Sequence, residues 1–339
     1  CGMAYEVIWT RLLSLFVGPT TYSFTCVLAA FIVGLAAGSM VFGWLVDRTG
    51  RPFLCLVAGQ FGIAAAALAV SQILGHSQIF FARILYMYYH DPQALEFAKA
   101  CAVFFLLLPV SFLLGGTFPA VMKIVTSDPA RIGRSAGLAY ATNTAGAMAG
   151  SFAAGYILIP WLGKECSLSM LAGVQGLAAG AVAVAACRHQ VPRLAACIAA
   201  TLLILAASLA WPRWDRAALA EGRYHRLSGI QDELAGMTLW DSLRQGDSLI
   251  PRPTDDKLLY YGDGIGGFCA VKQAVNTLGN TNVMLAISGK LDGSSRFDQG
   301  TQMLFAHLPM LFHPNPRRVM VLGLATGMTA GEFLRYPID

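Results

Sequence analysis

The chain has 339 residues, a formal net charge of +5 and a mean hydropathy of +0.57, a length that predicts about two domains. The charges divide unevenly: residues 1–211 carry 11 Lys/Arg and 6 Asp/Glu, whereas residues 212–339 carry 13 of each. Long uncharged apolar runs at this hydropathy mean a membrane protein, because about 20 apolar residues cross the hydrocarbon core. The basic excess then belongs to loops at a bilayer, and no nucleic-acid partner is expected.

Seven apolar runs are predicted to cross: 1–17 (partial), 21–45, 53–74, 100–124, 137–161, 166–187 and 194–211. The first, GMAYEVIWTRLLSLFVG, reads as the second half of a helix that began upstream. Cys1 is therefore expected to follow a missing piece; the alternative is the first residue of a processed lipoprotein. No signal peptide is legible. SQIFFARILYMYYHD (77–91) is too short to span, and its Phe and Tyr content suits a helix lying at the interface. Gly34/Gly38 and Gly146/Gly150 recur four apart, which lets helix backbones approach closely.

Orientation follows from the short loops. One set holds Arg48, Arg51, Lys123, Arg131, Arg134, Arg188 and Arg193; the opposite set holds Arg83, Lys99 and Lys164. The richer set is expected in the cytoplasm, which brings the chain out on the other side after Trp211, with WPRWDR (211–216) as an interfacial anchor.

Residues 212–257 are polar and rich in turn formers, a linker with room for small helices. KLLYYGDG, GFCAVKQAV and NVMLAISGKLDG are strand-like runs broken by Gly, Asn and Asp. QGTQMLFAHLPMLF (299–312) has helical spacing, HPNPRR (313–318) is a turn, and RVMVLGLATG predicts a buried strand entering a glycine turn. The domains are thus a transmembrane helical domain (1–211), a linker (212–257) and a soluble α/β domain (258–339).

Six of the eight cysteines lie in or beside apolar runs and read as small buried hydrophobes; Cys269 is alone in the soluble part. No disulfide or metal framework is legible. Within the crossings, Glu6 and Arg11 are five apart and share no helix face, so a structural or interfacial role is expected. Tyr140, Asn143 and Thr144 stand on an otherwise apolar helix, where interhelical hydrogen bonding is expected. In the soluble part, Gly323, Ala325 and Gly327 form a G-x-A-x-G turn between strand and helix. Such a turn offers backbone N–H groups to a ligand, although tight packing explains the spacing equally well.

Two resemblances follow from these motifs. GWLVDRTGR (43–51) resembles the cytoplasmic loop between the second and third helices of major-facilitator transporters, although the helices number about half of such a transporter's. The order KLDG, polar helix, AHLP, HPNP, apolar strand and glycine loop resembles the spermidine synthase (aminopropyltransferase) family. YEVIWTRLL, FIVGLAAGS, DRTGRP, FLLGGTFP and NTAGAMAG look like its bacterial branch with a membrane region fused ahead of the enzyme domain. The resemblance implies a small β module followed by the start of a Rossmann-like fold. It also implies a bacterial inner-membrane location and aminopropyl transfer from decarboxylated S-adenosylmethionine to a polyamine. That reaction needs carboxylates around a cationic amine.

By the same resemblance the S-adenosyl cofactor would meet Gly323, Ala325, Thr326, Gly327 and Asp292, and the polyamine would meet Asp298 and Gln302. The family's D-E-x-x-Y-H-E falls on Phe297, Asp298, Thr301, Gln302 and Met303, so one acid survives. Its G-G-G-D-G-G falls on Gly323, Leu324, Ala325, Thr326, Gly327 and Met328, so the Asp becomes Thr326. His307 reads as a structural histidine rather than a base. The family's catalytic Asp would lie beyond Asp339, which leaves the catalytic residue unknown and predicts a longer natural chain. Three functions stand side by side: a membrane-fused aminopropyltransferase, a catalytically degenerate subunit docking protein partners in a membrane complex, and a small-cation transporter.

Overall fold

The computed structural model describes every residue except 18–20, 127–130, 188–189, 223–229, 247–255, 265–266 and 276–278. Arg188 and parts of the expected linker therefore lie outside the described residues.

Among the described residues, five stretches are long and apolar enough to cross a membrane: Phe24–Thr49, Pro52–Gly75, Pro92–Val125, Ile132–Cys187 and Val191–Ala210. The chain is accordingly a multi-pass membrane protein. The fourth stretch, 56 residues, is far too long for one crossing at about 1.5 Å per residue. Gly163 breaks it with φ 80° and ψ 166°, a conformation a side chain would strain. Its two sides match the expected runs 137–161 and 166–187.

The helices are α1 (Gly2–Val17), α2 (Thr21–Thr49), α3 (Pro52–Gly75), α4 (Gln78–Met87), α5 (Pro92–Val125), α6 (Ile132–Ala153), α7 (Ile159–Cys187) and α8 (Val191–Ala210). A short π-helical turn, Ala154–Leu158, joins α6 to α7. α1 is the core of the bundle: Tyr5, Ile8, Trp9, Leu12 and Leu13 are fully covered. Elsewhere large side chains such as Met40, Phe105 and Leu209 face outward, where lipid covers them.

The two glycine pairs fare differently. A Cβ at Gly34 would collide with the Ser111 side chain, and one at Gly38 with the Phe112 carbonyl, so α2 and α5 pack backbone to backbone. Gly146 does not: a Cβ there meets nothing within 4 Å, and at Gly150 it would only touch Ala4. α6 leans on α1 near Gly150 and on α5 through the Tyr140–Phe118 ring pair, and none of its residues is fully buried.

The reading of 77–91 as an interfacial helix needs correction. α4 is buried through Gln78, Ile79, Phe81, Ala82 and Ile84. Phe81 stacks on Phe16 of α1 with ring centroids 5.0 Å apart. On its other side, Ile79 and Ala82 pack with Ile230 and Leu234. The linker thus contains structure: α9 (Arg216–Glu221), α10 (Gln231–Ala235) and α11 (Leu239–Gln245), the last closed by a Thr238/Asp241 capping box.

The soluble module is a four-stranded antiparallel meander: β1 (Lys257–Asp263), β2 (Phe268–Val275), β3 (Thr281–Ile287) and β4 (Lys290–Ser294). Ser288 and Gly289, both at positive φ, make the two-residue β3–β4 turn that matches strand twist. After it come α12 (Gln299–Phe312) and α13 (Met328–Phe333), joined through Ala306, Met310 and Phe333.

The expected buried strand over RVMVLGLATG is not formed. Met320, Leu322 and Leu324 are 80%, 86% and 72% exposed, and the segment pairs with no described strand. A parallel strand needs neighbours on its edges, and the meander pairs only with itself. The Rossmann-like half of the expected α/β domain is therefore absent from the described residues, and the β module is present.

Candidate functional site

Three of the residues singled out in the soluble domain meet in one cluster. Asp292 and Gly293 lie in β4, Gln302 on the first turns of α12, and Thr326 in the turn before α13. Thr326 Oγ1 hydrogen-bonds Gln302 Oε1. Gln302 Nε2 reaches the Asp292 carbonyl at 3.4 Å, and Thr329 Oγ1 donates to the Gln302 carbonyl at 2.8 Å. Both side chains press on Gly293, where any Cβ would collide with them.

The turn itself takes left-handed backbone at Gly323 (φ 87°), Ala325 (φ 45°) and Gly327 (φ 78°). Only Ala325 carries a side chain there, at a local cost of about 1 kcal/mol. Gly323, Ala325, Asp292 and Gln302 border a cavity of about 770 Å³, which Arg317 and Arg318 also line. Asp292 is the one acidic side chain on that lining among the described residues. Gly327 instead serves as the N-cap of α13. Asp298 stands apart from the cavity, at the N-cap position of α12 without a side-chain capping bond.

His307 is held on both ring nitrogens, Nδ1 2.7 Å from Tyr336 Oη and Nε2 3.2 Å from Glu332 Oε2. Arg335 also pairs with Glu332, at 2.9 Å. The histidine ties α12 to α13 through Glu332 and to the chain after it through Tyr336, and it is not on the cavity lining.

A second polar cluster was not singled out from sequence. Lys164, just after the Gly163 break, bonds Asp263 at the end of β1. Their side chains are 3% and 9% exposed. The Lys164 amide also donates to Asp263 at 3.2 Å, and the ammonium lies 5.1 Å from the Phe268 ring centre. Glu165 accepts from the Trp214 amide at 2.6 Å and faces Arg216 at 3.7 Å. Arg11 donates to the Gly264 carbonyl at 3.4 Å, and Phe268 and Ala270 belong to the same apolar core as α1. These residues join the β module to the bundle. The one sequence signal was a lysine beside a glycine inside an apolar run.

Among the residues noted inside the crossings, Arg11 thus serves this joint, while Glu6, Tyr140 and Asn143 border a separate cavity within the bundle. No metal-ligating cluster of His, Cys, Asp or Glu occurs among the described residues. Comparison with protein-family models, curated proteins and solved structures found no match to this chain.

Proposed function

We propose that this chain is a spermidine-synthase-like membrane protein of a bacterial inner membrane whose soluble module is a degenerate, partner-docking accessory part and transfers no aminopropyl group. The observation that carries this reading is the Gln302–Thr326 bond. Two side chains standing where the family carries a histidine and an aspartate satisfy each other, and Arg317 and Arg318 flank the adjoining cavity. Decarboxylated S-adenosylmethionine and polyamines are cations. A rim with two arginines and one aspartate repels them, where the chemistry needs a carboxylate cradle.

The charges at the bundle ends support an outward-facing module. Arg48, Arg51 and the Lys123–Asp47 pair (2.7 Å) lie at one end of α2, α3 and α5, and the joint at Lys164 lies at the other. The cation-rich end belongs in the cytoplasm. An outward module has no access to cytosolic S-adenosyl compounds.

The enzyme reading keeps one observation of its own, the left-handed turn beside a cavity of ligand size. Calorimetry of the purified protein with decarboxylated S-adenosylmethionine decides between them. No saturable heat is expected at millimolar ligand, and saturable binding would overturn the accessory reading.

A further inference from the structure

α7 and α8 form an antiparallel hairpin drawn together by small residues. A Cβ added at Gly176 or Gly180 would collide with Ile204 or Thr201, and one at Gly173 would touch Ser208. These contacts run in register toward the connection, where α7 ends at Cys187 and α8 begins at Val191. There the Gln190 amide donates to the Cys187 carbonyl at 2.8 Å. The Cys187 and Cys197 thiols share a hydrogen bond across the helix pair. Both cysteines are half-buried and free.

The pair has a defined place in the bundle. α7 leaves the joint at Lys164 and later packs Val182 with Val46, Leu56 and Ala120. Cys187 therefore lies at the end that holds Arg48 and Lys123. Two thiols held in contact by helix packing need only side-chain rotation to bond, because the fold has already brought them together. Ile204 is the one buried residue of α8, so a covalent link near its first turns would fasten a helix that is otherwise lightly held.

We propose that Cys187 and Cys197 are a reversible oxidation site, closed to a disulfide by hydrogen peroxide. One thiolate attacks the peroxide: an S–O bond forms, the O–O bond breaks, and the leaving hydroxide takes up a proton to become water. The second thiolate attacks the resulting sulfenic sulfur, so that the S–S bond forms and the hydroxyl leaves as a second water. Two electrons pass from the two thiols to the peroxide, and a dithiol reductant reverses the closure by exchange. At a cation-rich, cytoplasmic end of the bundle the pair rests reduced and closes under oxidant. The site shares no residue with the cavity beside the glycine turn, so it stands whether or not the soluble module is active.

The test uses the full chain in detergent, first reduced, then exposed to hydrogen peroxide, blocked with N-ethylmaleimide and cut with trypsin. Arg188 and Arg193 both lie between the two cysteines. Cleavage therefore separates residues 165–188 from 194–213 unless a disulfide holds them. Mass spectrometry is expected to find the two pieces linked after peroxide, with fragmentation placing the bond at Cys187 rather than Cys166. Before peroxide, and after dithiothreitol, both pieces are expected to be separate and maleimide-labelled at Cys187 and Cys197. In Cys197→Ser the link is expected to vanish and Cys187 to be trapped by dimedone as its sulfenic acid. Maleimide adducts at both cysteines after peroxide, a bond at Cys166, or oxidation without a mutual link would overturn the proposal. The parent chain alone gives these readouts, so the proposal is decided even if the variant fails to fold.

Discussion

Lys164 carries the heaviest electrostatic burden of any residue in the joint. Its ammonium and the Asp263 carboxylate are both shielded from water, and each needs the other. Removing one member of such a pair leaves an uncompensated buried charge, which costs about 3–5 kcal/mol. Lys164→Met is thus expected to lower the thermal midpoint sharply, whereas Lys164→Met combined with Asp263→Leu recovers most of the loss. Thermal unfolding of the three proteins in one detergent checks this; additive losses would show that the pair is not coupled. The sequence held little sign of the contact. Lys164 counted as a loop cation, and its partner lies 99 residues along the chain. Glu6 was different, because a lone acid in an apolar run is visible by composition alone. The cavity it borders is not.

At the level of elements, small residues at a four-residue spacing predicted close helix packing twice, with different results. Gly34 and Gly38 are filled by α5, since Ser111 and Phe112 occupy the space their side chains would take. Gly38→Leu is therefore expected to force α2 and α5 apart, at about 1–3 kcal/mol or more. Gly146→Leu should be nearly silent in stability. Midpoints of the two variants, measured side by side, test the distinction, and equal losses would contradict it. The spacing states only that an approach is sterically allowed; which neighbour comes near is set by the fold. Strands followed the same logic. The strand character of NVMLAISGKLDG was legible because composition is local, but its division into two strands paired across a Ser288–Gly289 turn was not assigned. The segment 319–324 has strand composition yet stays unpaired, because a strand is completed by a neighbour and none is supplied by the described chain.

Over the whole molecule, the β module is a continuation of the membrane core rather than a tethered domain. Phe268 and Ala270 of β2 join the α1 core, Trp214 packs where Gly75 leaves room for it, and Gln72 donates to the Pro212 carbonyl at 2.6 Å. The division into an apolar helical part and a later β-rich part was legible from charge density alone. The firmness of their union was not, since it depends on α4 and the short linker helices, whose sequence reads as interface and loop. Because the module is fixed to one end of the bundle, its side of the membrane decides which small molecules reach it.

Cysteine labelling in intact cells reads that side directly. Gly300 and Gly133 are exposed, open positions at opposite ends of the molecule, where an added Cβ meets nothing within 4 Å. Against the background of the parent chain's own cysteines, an impermeant maleimide is expected to label Gly300→Cys in intact cells. It should reach Gly133→Cys only after permeabilisation. The reverse pattern would place the module in the cytosol beside S-adenosyl compounds and contradict the proposal of an outward-facing, non-catalytic module.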